Sequence, residues 1–361
     1  MVNLDDIKQM LGEVEEPTLT LYLNVDNAAE ENQALQPAWK IWLKDTLRGM
    51  AEQNRADGSK EAWKQINQQV ESYFEHYQPQ SKSLVFFASP AFQRTIELPL
   101  SFENQAFYGK PSVAPLLWAL DEYEPYLIVL VDQEKARFFI SQLGSTEFED
   151  ALEIDIDDYD WGEFTTMANP APGGGAGSVH GGSGKDDFAA MIGEHRNRFY
   201  RTVVEQMQKV ADRYEARRII LGGSEEAAHA LKGFMNETLA QRVIGVLPIP
   251  MRSTTQQIIE IALPHALEYE RQEEMTLVNQ VIDFAKSGGR GALGPKAVME
   301  ALDMQRVELL IMPYPMEDTA LAAELPLRAF ASGGSVELVH GEAADRLKQE
   351  GGIAARLYYA M

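Results

Sequence analysis

Apolar and polar residues alternate along 18–25, TLTLYLNV, and a period of two predicts a β-strand. Downstream the period changes: Leu35, Trp39, Trp42, Leu43, Leu47 and Met50 fall at helical spacing, and 61–77 predicts a second helix. The compact run SLVFFAS at 83–89 reads as a buried strand, with 94–100 as its partner. A helix ending in a proline turn occupies 111–126. The first domain, an α/β unit, is expected to span 1–123.

A second domain, expected over 124–274, opens with YLIVLVD at 126–132. This continuous apolar run is typical of a central strand buried on both faces. The stretch 133–144 predicts its hairpin partner, and an acidic block and a glycine-rich loop follow. A long helix runs from about Asp186 to Tyr214, with Phe188, Ile192, Phe199, Val203, Met207 and Val210 stepping by three, four or seven. Strand 216–223 precedes a helix N-capped by Ser224 with acids in its first turn. Residues 236–240 read as that helix's frayed end and 243–251 as another strand. A helix then runs from about Thr255 to Lys286. The last domain, expected over 275–361, alternates helix and strand and implies an α/β sandwich. The fold class is α/β, and its middle sheet is mixed.

Composition narrows the classes. The 361 residues include no cysteine, which excludes disulfides, thiolate metal sites and cysteine nucleophiles and fits a reducing cytoplasm. No apolar run approaches the roughly 18 residues of a membrane span, and the acidic N-terminus is unlike a secretory signal. No membrane or DNA partner is expected.

The net charge of −23 argues against non-specific nucleic-acid binding by the whole molecule. Charge is unevenly placed, however. From Ser145 to Glu163 there are nine acidic residues and no Lys or Arg, which read as a solvated, flexible face. From His180 to Arg218, eight basic residues face six acidic ones. Any polyanion contact is therefore expected to be local.

Between those two stretches, seven of the twelve residues from Gly173 to Gly184 are glycine. The loop is neither a P-loop (Val179 and Asp186 occupy key positions) nor a dinucleotide fingerprint. The six histidines show no metal-ligand spacing, so no metal or cofactor is expected. His195 reads as a structural residue at the edge of its helix's buried face. Past the loop, Arg196, Arg198 and Arg201 read as pointing away from the apolar stripe. Two readings stay open there: a phosphate-contacting face, or an exposed face neutralised by pairs such as Glu194 with Arg198.

Four stretches in order carry a resemblance: 126–144, HGGSGKDDFAAMIGEHRNRFYRTVVEQMQKV at 180–210, ARRIILGGSEEAAHAL at 216–231, and 291–313 with 351–361. Together they resemble the archaeo-eukaryotic class-1 peptide-chain release factors and Pelota, and particularly the bacterial branch of that superfamily. The resemblance implies an RNase H-like middle domain and an L7Ae-like α/β/α C-terminal domain. It also implies a cytoplasmic factor entering the ribosomal A site, with rRNA and the tRNA acceptor region as partners. A translational GTPase would contact the C-terminal domain.

Gly181, Gly182, Lys185, Arg196, Arg198 and Arg201 are the implied RNA-binding residues. The family's Gly-Gly-Gln aligns with Gly181-Gly182-Ser183. Serine is too short to replace the glutamine that helps place water, and no Asn-Ile-Lys-Ser tetrapeptide occurs for stop-codon reading. The implied role is therefore A-site occupancy without ordinary termination, in ribosome hibernation or rescue. Two alternatives are a peptidyl-tRNA ester hydrolase using Gly181, Gly182, Ser183 or His180, and a stress-linked adaptor that lost ribosome binding.

Overall fold

The computed structural model describes residues 3–53, 60–153 and 183–359. Its contacts divide the chain into two compact units, one discontinuous (Met1–Glu124 with Leu267–Met361) and one continuous (Pro125–Ala266).

In the discontinuous unit, the N-terminal part holds α1 (Leu4–Glu13), β1 (Thr18–Asn24), α2 (Ala38–Gln53), α3 (Lys60–His76), β2 (Ser83–Ser89), β3 (Phe92–Leu98), β4 (Gln105–Gly109) and α4 (Ala114–Glu122). Its sheet has the antiparallel order β3-β2-β1-β4. Leu19, Leu21 and Leu23 pack with Leu84 and Phe86 against Trp39, Leu43, Trp63, Ile66, Val70 and Phe74 of α2 and α3.

The alternation in β1 suggests one wet face, yet Thr18, Thr20 and Tyr22 are also fully buried. Each is satisfied by a hydrogen bond. Tyr22 Oη donates to the Ser112 carbonyl at 2.8 Å, Thr20 Oγ1 accepts from the Ser112 N–H at 3.2 Å, and Thr18 Oγ1 donates to the Glu15 carbonyl at 2.8 Å. Strand β4 carries no apolar alternation and went unseen in the sequence; pairing with β1 holds it. Leu35 lies outside α2, wholly exposed.

The continuous unit contains β5 (Tyr126–Val131), β6 (Lys135–Gln142), β7 (Ser145–Glu153), α5 (Ser183–Arg213), β8 (Arg218–Gly223), α6 (Glu225–Lys232), α7 (Glu237–Gln241), β9 (Val243–Val246) and the start of α8 (Thr255–Lys286). The sheet order is β7-β6-β5-β8-β9. It is mixed: β5 runs parallel to β8 and antiparallel to β6. Leu127, Val129 and Val131 face Phe199, Val203, Met207 and Val210 of α5, whereas Ile128 and Leu130 face Ile258 and Ala262 of α8. Helices on both faces explain why β5 is apolar throughout.

Three expectations are corrected here. The first part of the acidic block is not a flexible face but edge strand β7, paired antiparallel to β6 from Ser145 to Glu153. Residues 236–240 are not a frayed end: Asn236 caps a helix of its own by accepting from the Leu239 N–H at 2.8 Å. The strand read over 243–251 stops at Val246.

The C-terminal part of the discontinuous unit adds β10 (Gly291–Leu293), α9 (Gly294–Asp303), β11 (Val307–Pro313), α10 (Thr319–Ala331), β12 (Ser335–Val339), α11 (Gly341–Gln349) and β13 (Ala354–Leu357). The order is β10-β13-β11-β12. Leu309 and Ile311 pack on Val278 and Ile282 of α8 and Leu347 of α11. Leu310 and Met312 alternate with them toward the opposite face and are equally buried, so both faces are covered.

Candidate nucleic-acid interface

Helix α5 starts at Ser183, and Lys185 lies in its first turn. His180, Gly181, Gly182 and the rest of the glycine loop before Ser183 lie outside the described residues, as does acidic stretch 154–163. What the structure describes is the helix from Ile192 onward, with its side chains.

At 100° per residue, Phe199, Tyr200, Val203, Met207 and Val210 form one stripe, and all are buried in the core against β5, β6 and β8. Arg196 lies three before Phe199, four before Tyr200 and seven before Val203. It therefore extends the buried stripe and is only half-exposed, which corrects the outward reading of this residue. Arg198 and Arg201 fall on the opposite side and are exposed. His195 is half-exposed, beside the stripe as expected.

Arg196 lies close enough to the buried Tyr200 hydroxyl to favour its ionised form. Burial outweighs this and, with Glu226 and Asp132, raises the Tyr200 pKa. Asp132 follows β5 and Glu226 opens α6, so Arg196 stands at the end of the sheet where the two parallel strands finish.

The charges on α5 are handled differently along its length. Toward its C-terminus, acidic residues of β7 hold the helix. Glu149 accepts from Arg213 in an ion pair and from Tyr214 Oη at 2.6 Å, and Asp150 accepts from Gln206 Nε2 at 2.6 Å. The hydrogen bond to Glu149 is the main reason the Tyr214 pKa is raised. Asp212 adds an ion pair with Arg242 at 3.4 Å. Farther toward the N-terminus, among the described residues, Arg196, Arg198 and Arg201 have no carboxylate within ion-pair distance. The Glu194–Arg198 pair does not form. Glu149 thus neutralises a cation at one end of the helix, whereas the arginines toward the other end have no carboxylate partner among the described residues. Sequence reasoning missed this division because Glu149 and Arg213 lie 64 residues apart.

The turn after β8 is built by close approach. Gly223 has φ +93°, and a Cβ there would lie 2.2 Å from the Val131 carbonyl oxygen. Its N–H donates to the Ile249 carbonyl at 2.7 Å, the Ser224 N–H donates to Val131, and Ser224 Oγ caps α6 as expected.

Two groups in the discontinuous unit hold three possible metal-ligand side chains each: Glu122, Glu274 and His340, and Asp121, Glu270 and Glu337. In the first, Arg271 already supplies the positive charge, binding Glu122 at 2.6 Å and pairing with Glu274. In the second, burial and the neighbouring Glu337, Glu270 and Glu124 push the Asp121 carboxyl well above the usual range, against a hydrogen bond from the Leu338 N–H. No helix among the described residues is long and apolar enough to cross a membrane.

Residues 111–266 match the model of Bacterial archaeo-eukaryotic release factor family 10. No curated protein is similar enough in sequence to count as a relative. Among solved structures, Pelota of Archaeoglobus fulgidus is 14% identical over 99% of this chain and 92% of its own, with a TM-score of 0.37. Dom34 of S. cerevisiae, described as a translation termination-like factor interacting with Hbs1, is 14% identical over 78% of this chain and 74% of its own, with a TM-score of 0.46. Archaeal Pelota in a ribosome-bound model with ABCE1 is 14% identical over 99% and 95%, with a TM-score of 0.47.

Proposed function

We propose that this chain, whose residues 111–266 match the model of Bacterial archaeo-eukaryotic release factor family 10, is a ribosome-binding translation factor of the Pelota and release-factor superfamily. It occupies the A site without ordinary termination, in hibernation or rescue. The observation that carries the reading is the exposed Arg198–Arg201 face of α5, which has no carboxylate partner among the described residues. Guanidinium groups so placed grip phosphates of rRNA or a tRNA acceptor stem without reading sequence. Gly181 and Gly182 lead toward the peptidyl-transferase centre, because a tip without side chains fits a crowded RNA site. Lys185 and Arg196 add to the grip.

In this reading, 124–274 is the RNase H-like ribosome-facing module, and 275–361 is an L7Ae-like module that meets a translational GTPase. The setting is the cytoplasm.

Co-sedimentation with purified ribosomes tests the proposal. The wild type pellets at low salt, and the Arg198→Glu/Arg201→Glu variant stays in the supernatant while its melting temperature is unchanged. Arg196 is left intact because its half-buried position would mix folding with binding. Equal pelleting of the two proteins reduces the arginine face to a solvated surface.

A further inference from the structure

Helices α2 and α3 border an open cavity of about 450 Å³, within the roughly 300–1,000 Å³ range of ligand pockets. Its apolar walls are Trp39, Leu43 and Leu47 from α2 and Trp63, Val70 and Phe74 from α3. Along one rim α2 places Lys40, Lys44 and Arg48, all exposed, and α3 answers with one charge, Glu71. Residues four apart rise about 6 Å along a helix, so the rim is a cationic row about 12 Å long.

That row is little neutralised among the described residues. Among the described residues neither Lys40 nor Lys44 has a carboxylate within ion-pair distance, and Lys40 lies over the Trp39 ring at 5.2 Å. Arg48 meets Asp45 at 3.7 Å with both side chains about two-thirds exposed, a geometry that contributes little. Trp39 is 1% exposed, and its indole N–H is buried without an acceptor. In a chain of net charge −23, a little-neutralised cationic row beside an apolar cleft departs sharply from the average surface.

We propose that this groove docks an acidic amphipathic helix of a partner protein. Its apolar side chains, at helical spacing, enter between α2 and α3. Its carboxylates, four residues apart, meet Lys40, Lys44 and Arg48. Nucleic acid is the poorer occupant. A phosphate backbone running along the groove would also pass Glu71 on the facing wall, whereas a helix confines its carboxylates to the side of Lys40, Lys44 and Arg48. The site is separate from the α5 arginine face and does not depend on the ribosomal reading.

Fluorescence anisotropy on the full chain tests it, with a labelled synthetic helix of roughly 16 residues, or about four turns. One version carries Leu and Phe on one face and Glu at i, i+4 and i+8 beside it. The control carries Lys at those three positions. The glutamate helix binds with a Kd on the order of micromolar, and Lys40→Glu/Lys44→Glu/Arg48→Glu weakens it at least about tenfold while tightening the lysine helix. Hydrogen exchange on the complex slows in 38–53 and 60–76. The variant's circular dichroism and ribosome pelleting match the wild type, which separates failure here from failure of the ribosomal proposal. Equal affinity for the two helices overturns docking by charge, as does an absence of binding at high micromolar concentration. Preferential capture of a single-stranded RNA oligomer through the same three cations overturns the choice of occupant.

Discussion

Gly109 and Gly223 both sit at positive φ, +122° and +93°, yet their surroundings differ. A Cβ on Gly109 meets nothing within 4 Å, whereas one on Gly223 drives into the backbone of Val131 in the neighbouring strand. Gly109→Ala should therefore cost only conformational strain, about 1 kcal/mol. Gly223→Ala adds separation of β5 from the turn and should cost about 3 kcal/mol. Thermal melting distinguishes them, and equal losses would show that β8 can shift away from β5 freely. Asp121 presents the opposite problem, a charge where none is welcome. Its folded pKa is raised, so its contribution is intact below the usual carboxylate pKa and is lost as pH rises through the folded value. Asp121→Asn keeps an oxygen for the Leu338 N–H and removes the charge. The variant should melt above the wild type at pH 8, with the gap closing toward pH 4. Parallel melting curves across that range would show that Asp121 is not strained by its neighbours.

Helix α5 was legible in the sequence almost to its ends, because Phe199, Val203, Met207 and Val210 repeat at a spacing only a helix can bury on one side. Its surroundings were not. Strand β7 was hidden because Glu147, Glu149, Asp150 and Glu153 read as solvent-seeking, and nothing local says that Glu149 meets Arg213 and Tyr214. The uneven placement of charge found the arginine segment, but only the packing of the helix separates half-buried Arg196 from exposed Arg198 and Arg201. Strand β4 was missed for a related reason, since its five residues are all half-buried and show no contrast between faces. At this scale the β7 clamp can be tested. Glu149→Gln keeps the shape, removes the charge opposite Arg213 and relieves the cause of the raised Tyr214 pKa. A loss of about 1 kcal/mol, or roughly 3 °C in melting for a unit of this size, is expected. Ultraviolet titration should show one tyrosine moving down toward the ordinary range. An unmoved tyrosine would mean that the clamp does not persist in solution.

In the proposed function, a net charge of −23 and a small cationic face meet the same polyanion. Association with RNA through Z phosphates releases counterions, and the logarithm of affinity falls with the logarithm of salt with a slope of about −0.7Z to −0.9Z. Two exposed arginines on α5, with Arg196 and Lys185 adding at most two more contacts, predict a slope between about −1.5 and −3.5. The acidic remainder works in the other direction: salt screens its repulsion from rRNA, which flattens the dependence at low ionic strength. Ribosome affinity is therefore expected to change little at the lowest salt and then decline gently, unlike the steep loss of a broadly basic protein. Measuring Kd from about 50 to 300 mM salt, a range over which the Debye length falls below roughly 10 Å, decides this. A slope steeper than about −6 would require many more phosphate contacts than α5 can supply, and the binding face would have to lie elsewhere on the chain. Within the predicted range, Arg201→Ala alone should flatten the curve further by about one contact's worth, linking the bulk electrostatics to a named guanidinium.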